Sequence, residues 1–391
     1  MDVSFFIASR LRFKGRIAAV SIAISFLVMI IAVAVSSGFR HEIRSGLSDI
    51  TGDVRITPPD LSVLDVNTPI ESEPAYLPYV QDLESVEQVI PVAYRAAIVK
   101  NAEDIHGVLI KGIPGGPEVP DSIALPVSRP RGLAEISGLK VGDRMLTYFV
   151  GENVKARQFN VAEIHEALVQ ADDKLVVYAD LSDIQRINGW DNGMVSSLEV
   201  ILAPGYESEY AVETASDEIG TIINAYSSDD QEYVIATSSV SAYPHLFDWL
   251  NLIDFNVLFI LLLMTIVAGF NMISGLLIML FENISTIGLL KSLGMTDRAI
   301  AKVFLTSSAA LVFKGMLAGN LAAILFCIIQ GTTHLLRLNP ENYFVSSVPV
   351  HLDFGMILSA DIIAFAAIMI LLLLPCMFIS RIDPAETVRV K

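Results

Sequence analysis

Cysteine is nearly absent from this chain, and the common catalytic motifs are missing altogether. The two cysteines, Cys327 and Cys376, both lie in apolar runs, so neither a disulfide framework nor a metal site is expected from them. No Gly-x-x-x-x-Gly-Lys-Ser/Thr stretch is present to cradle a nucleotide phosphate. His-Glu-x-x-His, Cys-x-x-Cys and the Gly-x-Ser-x-Gly turn are missing too, and the six histidines are scattered. The expectation is a chain that is not itself an enzyme, carries no cofactor or metal of its own, and takes any energy input from a partner. Charge is also scarce, at 18% of residues, and it is unevenly placed. Residues 39–254 hold 14 Lys and Arg against 35 Asp and Glu, while the rest of the chain holds 12 against 8. One large acidic segment therefore sits among mildly basic apolar ones. An acidic surface gives no reason to expect nucleic acid as a partner.

What the chain has in quantity is apolar sequence, 53% of residues. Ile17 to Gly38 and Phe255 to Phe281 are uncharged runs of 22 and 27 residues. About 20 apolar residues suffice to cross a bilayer as a helix. Two more candidate spans follow at 299–336 and 354–380. Arg10, Arg12, Lys14 and Arg16 precede the first run and place its start in the cytoplasm. A signal peptide is the rival reading there, with Ala32-Val33-Ala34 as small residues near a cleavage site; the run is long for that role. The predicted order is an interfacial helix at 1–16, a first span at 17–38, an outer domain at 39–254 and a second span at 255–281. A cytoplasmic connector at 282–298, a third span at 299–336, an outer loop at 337–353, a fourth span at 354–380 and a cytoplasmic tail at 381–391 complete it. Both termini are then cytoplasmic, in a multi-pass protein with lipid around its spans.

The outer domain reads as α+β with a mixed sheet. Asp53 to Thr57 is a first strand, Tyr79 to Val89 a helix, and Ala97 to Lys100 with His106 to Ile113 a hairpin. Val212, Ala215, Ile219 and Ile222 share one helical face, and Val234 to Thr237 is a last strand. Pro244 suits the first turn of the helix that leads into the second span.

The connector carries the sharpest signal. Ile284, Ile287, Gly288, Lys291 and Met295 recur at three- and four-residue spacing and share one helix face. Such a segment either lies on the lipid surface or docks on a cytosolic partner. The order Glu282-x-x-x-x-Ile287-Gly288-x-Leu290-Lys291-x-Leu293-Gly294 resembles the coupling segment of ABC transporter permeases of the FtsX/MacB superfamily. Within that group the chain resembles the lipoprotein-releasing permeases (the LolC/LolE family). Gly38-Phe39-x-x-Glu42-Ile43 resembles the family's exit from the first span. Gly138-Leu139-Lys140-Val141-Gly142-Asp143, Arg157 to Ile164, and Leu175 to Tyr178 with Leu181, Asp183 and Gln185 resemble its outer-domain strands. Asn339 to Phe344 with Val348-Pro349-Val350 resembles its last outer loop, and Arg381 to Thr387 its tail. Met377 and Phe378 depart from it, standing where the family has basic residues.

The resemblance implies a permease that pairs with a second permease subunit, itself or a paralogue, and with a cytosolic ABC ATPase dimer that binds ATP and Mg. Its cargo would be acylated lipoproteins drawn from the outer leaflet and passed to a periplasmic carrier. Glu282, Ile284, Ile287, Gly288, Leu290, Lys291, Gly294 and Met295 would couple to the ATPase. An acyl-binding cleft would use Met29, Ile30, Val33, Phe255, Leu258, Phe259 and Leu262, although each of these also suits ordinary helix packing. A hairpin at Gly151, Glu152 and Asn153 would meet the carrier, or be a plain turn. Two rival functions are an FtsX-like signal transmitter without cargo and a MacB-like exporter permease. Finally, Lys314 and Asp361 fall at similar depth in the third and fourth spans, and the expectation is an ion pair, with Gly315 and Gly319 letting the fourth helix approach.

Overall fold

The computed structural model describes residues 16–59, 68–100, 105–116, 125–130, 133, 140–149, 155–165, 175–228, 231–339, 343 and 345–377. It divides into two compact units: 1–41, 249–337 and 347–391 form one, and 42–248 with 338–346 the other. The hairpin residues Gly151, Glu152 and Asn153, the interfacial segment up to residue 15 and the tail from residue 378 lie outside the described residues.

Helix α1, Arg16–Thr51, contributes residues to both units. The mixed unit follows in chain order: β1 (Val54–Thr57), β2 (Ile70–Glu71), α2 (Leu77–Gln81), β3 (Val86–Lys100) and β4 (Ile105–Ile113). Next come β5 (Leu125–Pro130), β6 (Arg144–Phe149), β7 (Lys155–His165), β8 (Leu175–Asp180) and α3 (Leu181–Asn188). Then β9 (Met194–Val195), β10 (Ser197–Leu202), α4 (Glu209–Tyr226), β11 (Ile235–Ser238) and α5 (Ser239–Ala242) complete it.

Nine of these strands form one sheet in the order β11-β1-β10-β3-β4-β8-β5-β7-β6, and β3 also pairs with β6. That second pairing, Ile98 with Tyr148, closes β3-β4-β8-β5-β7-β6 into a ring. The 15-residue β3 does both jobs: its first half pairs with β10 and its second with β4. Two apolar cores result. Val99, Ile110, Phe149, Phe159 and Val177 fill the ring. Ile56, Val80, Val200, Val212 and Ile219 fill the layer beneath α2 and α4. The helix expected at Tyr79 to Val89 is cut to the five residues of α2. Val86, Val89 and Ile90 go to β3 instead, because their β-branched side chains pack on a sheet with a waiting partner in β10.

The other unit is helical: α6 (Pro244–Glu282), α7 (Ile284–Ser292), α8 (Asp297–Thr333), α9 (Phe354–Leu371) and α10 (Leu373–Cys376). Among the described residues, four helices are long and apolar enough to cross a membrane: α1, α6, α8, and α9 with α10. Their ends follow from local sequence. Thr296 caps α8 by accepting from the Ala299 N–H, and Asp353 caps α9 by accepting from the N–H groups of Gly355 and Met356. Buried Ile22, Phe26, Met272, Leu276, Phe304, Val312 and Ile368 form the bundle core.

Candidate functional site

The connector between α6 and α8 is a short rigid helix. Asn283 ends α6, where its Nδ2 donates to the Met279 carbonyl at 2.8 Å, and the Ile287 N–H bonds back to the Asn283 carbonyl. Gly294, at φ +90°, ends α7. The Gly294 N–H reaches the Lys291 carbonyl at 2.9 Å and the Met295 N–H reaches the Leu290 carbonyl at 3.0 Å. This pair of bonds is a Schellman turn, and the left-handed backbone at its corner is why the residue there is glycine.

Which face α7 presents differs from the expectation. Ile287 is fully buried in the bundle core, Gly288 is buried, and Leu290 and Met295 pack against that core. Ile284 is half-buried. Lys291 points inward with its side chain 11% exposed, and its Nζ bonds Asp297 Oδ1 at 2.9 Å. The stripe assigned to an outside partner is therefore the one that seats the helix. The physical reason is that an apolar stripe reads the same whether it faces the protein's own core or another protein. The free face carries Glu282, Ser285, Thr286, Leu289, Ser292, Leu293 and Gly294. Leu289 is 56% and Leu293 75% exposed.

The cleft residues also separate. Met29, Ile30 and Val33 are buried inside the bundle, the last two against Ala323 and Ile357. Phe255, Leu258, Phe259 and Leu262 form an exposed stripe on α6, each 58–66% exposed. The two sets do not line one cleft within this chain. Apolar composition does not separate helix-facing from lipid-facing positions, since both environments favour the same residues.

Near residues 36–40 and 249–254, α1 is tied to α6. Asp254 accepts from both Ser36 and Arg40, and Arg40 also reaches Asn251 Oδ1 at 3.4 Å. Phe39 meets Trp249 edge to face, with ring centroids 5.5 Å apart. The Val348-Pro349-Val350 segment crosses the same stretch of α1. A Cβ on Gly38 would lie 2.5 Å from the Pro349 carbonyl oxygen, so only glycine fits there. The His351 N–H donates to the Ala34 carbonyl, and the His351 ring stacks on His41 at 4.5 Å.

Lys314 and Asp361 do not pair. Lys314 is exposed, and Asp361 Oδ2 accepts from Asn320 Nδ2 at 2.5 Å. Gly315 and Gly319 do admit a close helix, but it is α1 rather than α9. Cβ atoms at these positions would lie 2.8 Å from the Ile22 side chain and 2.4 Å from the Ala23 carbonyl oxygen. Depth arithmetic fixed height along the helices but not rotation about them. Asn320, Asn271, which donates to Ser21 Oγ at 2.5 Å, and Gln330, which bonds Val348 and Leu336, are not among the residues expected from the sequence. Their signal was there to read, as amides inside otherwise apolar runs.

Known proteins resemble the chain as follows. Residues 258–384 match a family described as FtsX-like permease C-terminal. Over 94% of its length the chain is 23% identical to a lipoprotein-releasing system transmembrane protein LolC of Neisseria meningitidis serogroup B, covering 92% of that relative. A relative of the same description from Xylella fastidiosa matches with the same identity and coverage. The crystal structure of the periplasmic region of MacB from Actinobacillus actinomycetemcomitans aligns with 49% of this chain and 91% of its own, at TM-score 0.31 and 11% identity.

Proposed function

We propose, from the premise that these relatives support a permease of the LolC/FtsX family, that the chain extracts acylated lipoproteins from the outer leaflet of the inner membrane and hands them to a periplasmic carrier. The observation that carries the reading is the collinear match to lipoprotein-releasing relatives over nearly the whole of both chains. The short capped helix α7, between two membrane-length helices inside the matched region, supplies a part such a permease needs. An ATPase dimer in the cytosol would seat α7, and its closure on ATP would move the bundle. The free face of Leu289 and Leu293 is the one to fit the ATPase groove.

Helices α1 and α6 have 36 and 39 residues. At about 1.5 Å per residue each exceeds the roughly 30 Å apolar core of a bilayer. Rigid helices of that length carry motion beyond the lipid, so the mixed unit would stand in the periplasm with both termini cytoplasmic. An acyl chain held by lipid at about 0.8 kcal/mol per CH₂ needs such work to leave. The exposed stripe Phe255, Leu258, Phe259 and Leu262 offers acyl chains a surface, completed by the second permease subunit rather than by α1 of the same chain.

The test is purification of the chain from membranes with its natural partners, followed by mass spectrometry and reconstitution in proteoliposomes. A cytosolic ATPase and bound lipoprotein should copurify, and ATP should drive lipoprotein onto a soluble carrier. An ATPase that copurifies without lipoprotein, and an external hydrolase that responds to ATP, would instead identify a signal transmitter. Release of a soluble small molecule would identify an exporter.

A further inference from the structure

The mixed unit holds a fully buried ion pair at the last turn of α1. Lys111 of β4 is 2% exposed and Glu199 of β10 is 1% exposed. Lys111 Nζ donates to Glu199 Oε2 at 2.6 Å, to the Ile50 carbonyl at 2.8 Å and to the Asp49 carbonyl at 3.1 Å. An ammonium has three donors, so all three are used. Glu199 Oε1 accepts from the hydroxyl of Tyr94, which lies on β3. The Tyr178 hydroxyl of β8 adds a contact of 3.3 Å to the Asp49 carbonyl.

Helix carbonyls at a C-terminus lack partners and favour a cation. Helix α1 has no basic residue in its last turn, so Lys111, 61 residues beyond Ile50 in the chain, supplies the missing cation. Just past the helix, Gly52 sits at φ +72°, where a Cβ would come within 3.0 Å of Glu199 Cβ. Asp53 then bonds both the Val200 carbonyl and the Leu202 N–H. The helix end is bonded to β4 and β8, the residue just past it to β10, and β3 joins through the Tyr94 bond to Glu199.

Stability alone does not account for this arrangement. Burying two charges carries a desolvation cost that can exceed their attraction, and well-packed apolar side chains of similar volume are often as stabilising. What an ion pair with three directed bonds adds is a single geometry. A cavity of about 350 Å³ lies beside it, lined among others by Ser48, Asp49, Pro91, Lys111, Tyr178 and Glu199. Ser48 and Asp49 of the last turns of α1 line that cavity, so this side of the helix end is held by the directed bonds rather than by packing.

We propose that Lys111 and Glu199 are positioning residues that form the joint through which α1 delivers ATP-driven motion to the sheet. The proposal rests on the permease reading above. Neither residue touches cargo; they set the angle at which the helix meets β4 and β10.

The test uses the full chain with its ATPase in proteoliposomes, and a triple variant, Lys111→Met with Glu199→Leu and Tyr94→Phe. This replaces the ion pair and its Tyr94 bond by apolar side chains, while the Tyr178 hydroxyl and Arg55, opposite Glu199 in the β1–β10 register, stay in place. The thermal midpoint should stay near that of the parent, and ATP hydrolysis should continue. Release per ATP should fall about tenfold, within the range of typical coupling between sites. A purely structural role would lower all three together. ATP-dependent hydrogen exchange in β10 should be present in the parent and absent in the variant. A folded variant with parental release and parental exchange response overturns the joint. If the parent releases no lipoprotein, the permease reading falls, and the exchange response alone then judges the joint. If the triple variant does not insert, Lys111→Met with Glu199→Gln, which keeps an acceptor for Tyr94, is held to the same outcomes.

Discussion

Asn320 and Asp361 share a hydrogen bond of 2.5 Å between α8 and α9, inside two helices long enough to span a membrane. Asp361 is 7% exposed, and its other carboxyl oxygen and the Asn320 side-chain oxygen are both buried without a partner among the described residues. An amide is therefore the neighbour of the one acidic side chain in the described part of the last span. Removing one partner of a buried bond that involves a carboxyl costs about 1–3 kcal/mol. Asn320→Leu should lower the level of folded protein in membranes, while Lys314→Gln should leave it within about 0.5 kcal/mol of the parent. The exchange Lys314→Asp with Asp361→Lys should do no better than the two single changes combined. Thermal melts of the purified chain check all of these, and recovery in the exchange would restore the ion pair.

On α7, the exposed and buried faces give opposite expectations. Leu289→Asp and Leu293→Asp change exposed side chains, so folding should survive while ATP-driven release falls. Gly288→Trp adds a large ring at a buried position and should reduce the amount of inserted protein, with a cost of about 1–3 kcal/mol or more from overpacking. Quantified membrane extracts alongside ATPase and release assays separate the outcomes. A well-inserted Gly288→Trp chain would show that α7 lifts away from the bundle.

Gly38 offers a test of the segment that crosses α1. A Cβ there would stand 2.5 Å from the Pro349 carbonyl oxygen, which is backbone and cannot rotate aside. Gly38→Val should therefore destabilise the bundle by about 1–3 kcal/mol and raise proteolysis near residues 348–351. Gly331→Ala is the control, since a Cβ there would meet only the Val350 side chain, at 3.4 Å. Equal melting midpoints for the two variants would contradict the close crossing.

Alkaline pH should weaken the mixed unit through Tyr76. Burial, assisted by the Glu71 charge, pushes its phenol up to about 12. The folded state then keeps a proton that the unfolded chain gives up near 10. The contribution is fully present below pH 10 and is lost as pH rises toward 12, by up to about 1.4 kcal/mol per pH unit. Tyr76→Phe should flatten this part of the pH profile relative to the parent. Urea melts between pH 9 and 12, followed by near-ultraviolet circular dichroism, measure the difference.

The sequence by itself determined the spans and the punctuation. Uncharged runs of bilayer length specify α1 and α6 wherever they pack, because water rejects them and a helix satisfies their backbone. Thr296, Asp353 and Gly294 act on backbone within a few residues, so their caps and turns are local chemistry that needs no distant partner, although none of the three stood out as a cap in the sequence. Alternation in β4 and the face of α4 were legible because they are local patterns. Tertiary structure decided rotation and partnership. Ile287 and Lys291 turn inward, Met29 and Val33 pack within the bundle, and Gly319 meets Ala23 rather than α9. Each of these is a choice between two apolar surroundings, or between residues far apart in sequence, that composition prices alike. Lys111, Glu199 and Tyr94 show the limit most clearly. Their contacts join positions 61 to 105 residues apart, and no local pattern marks a lysine in a strand as the cation for a distant helix end.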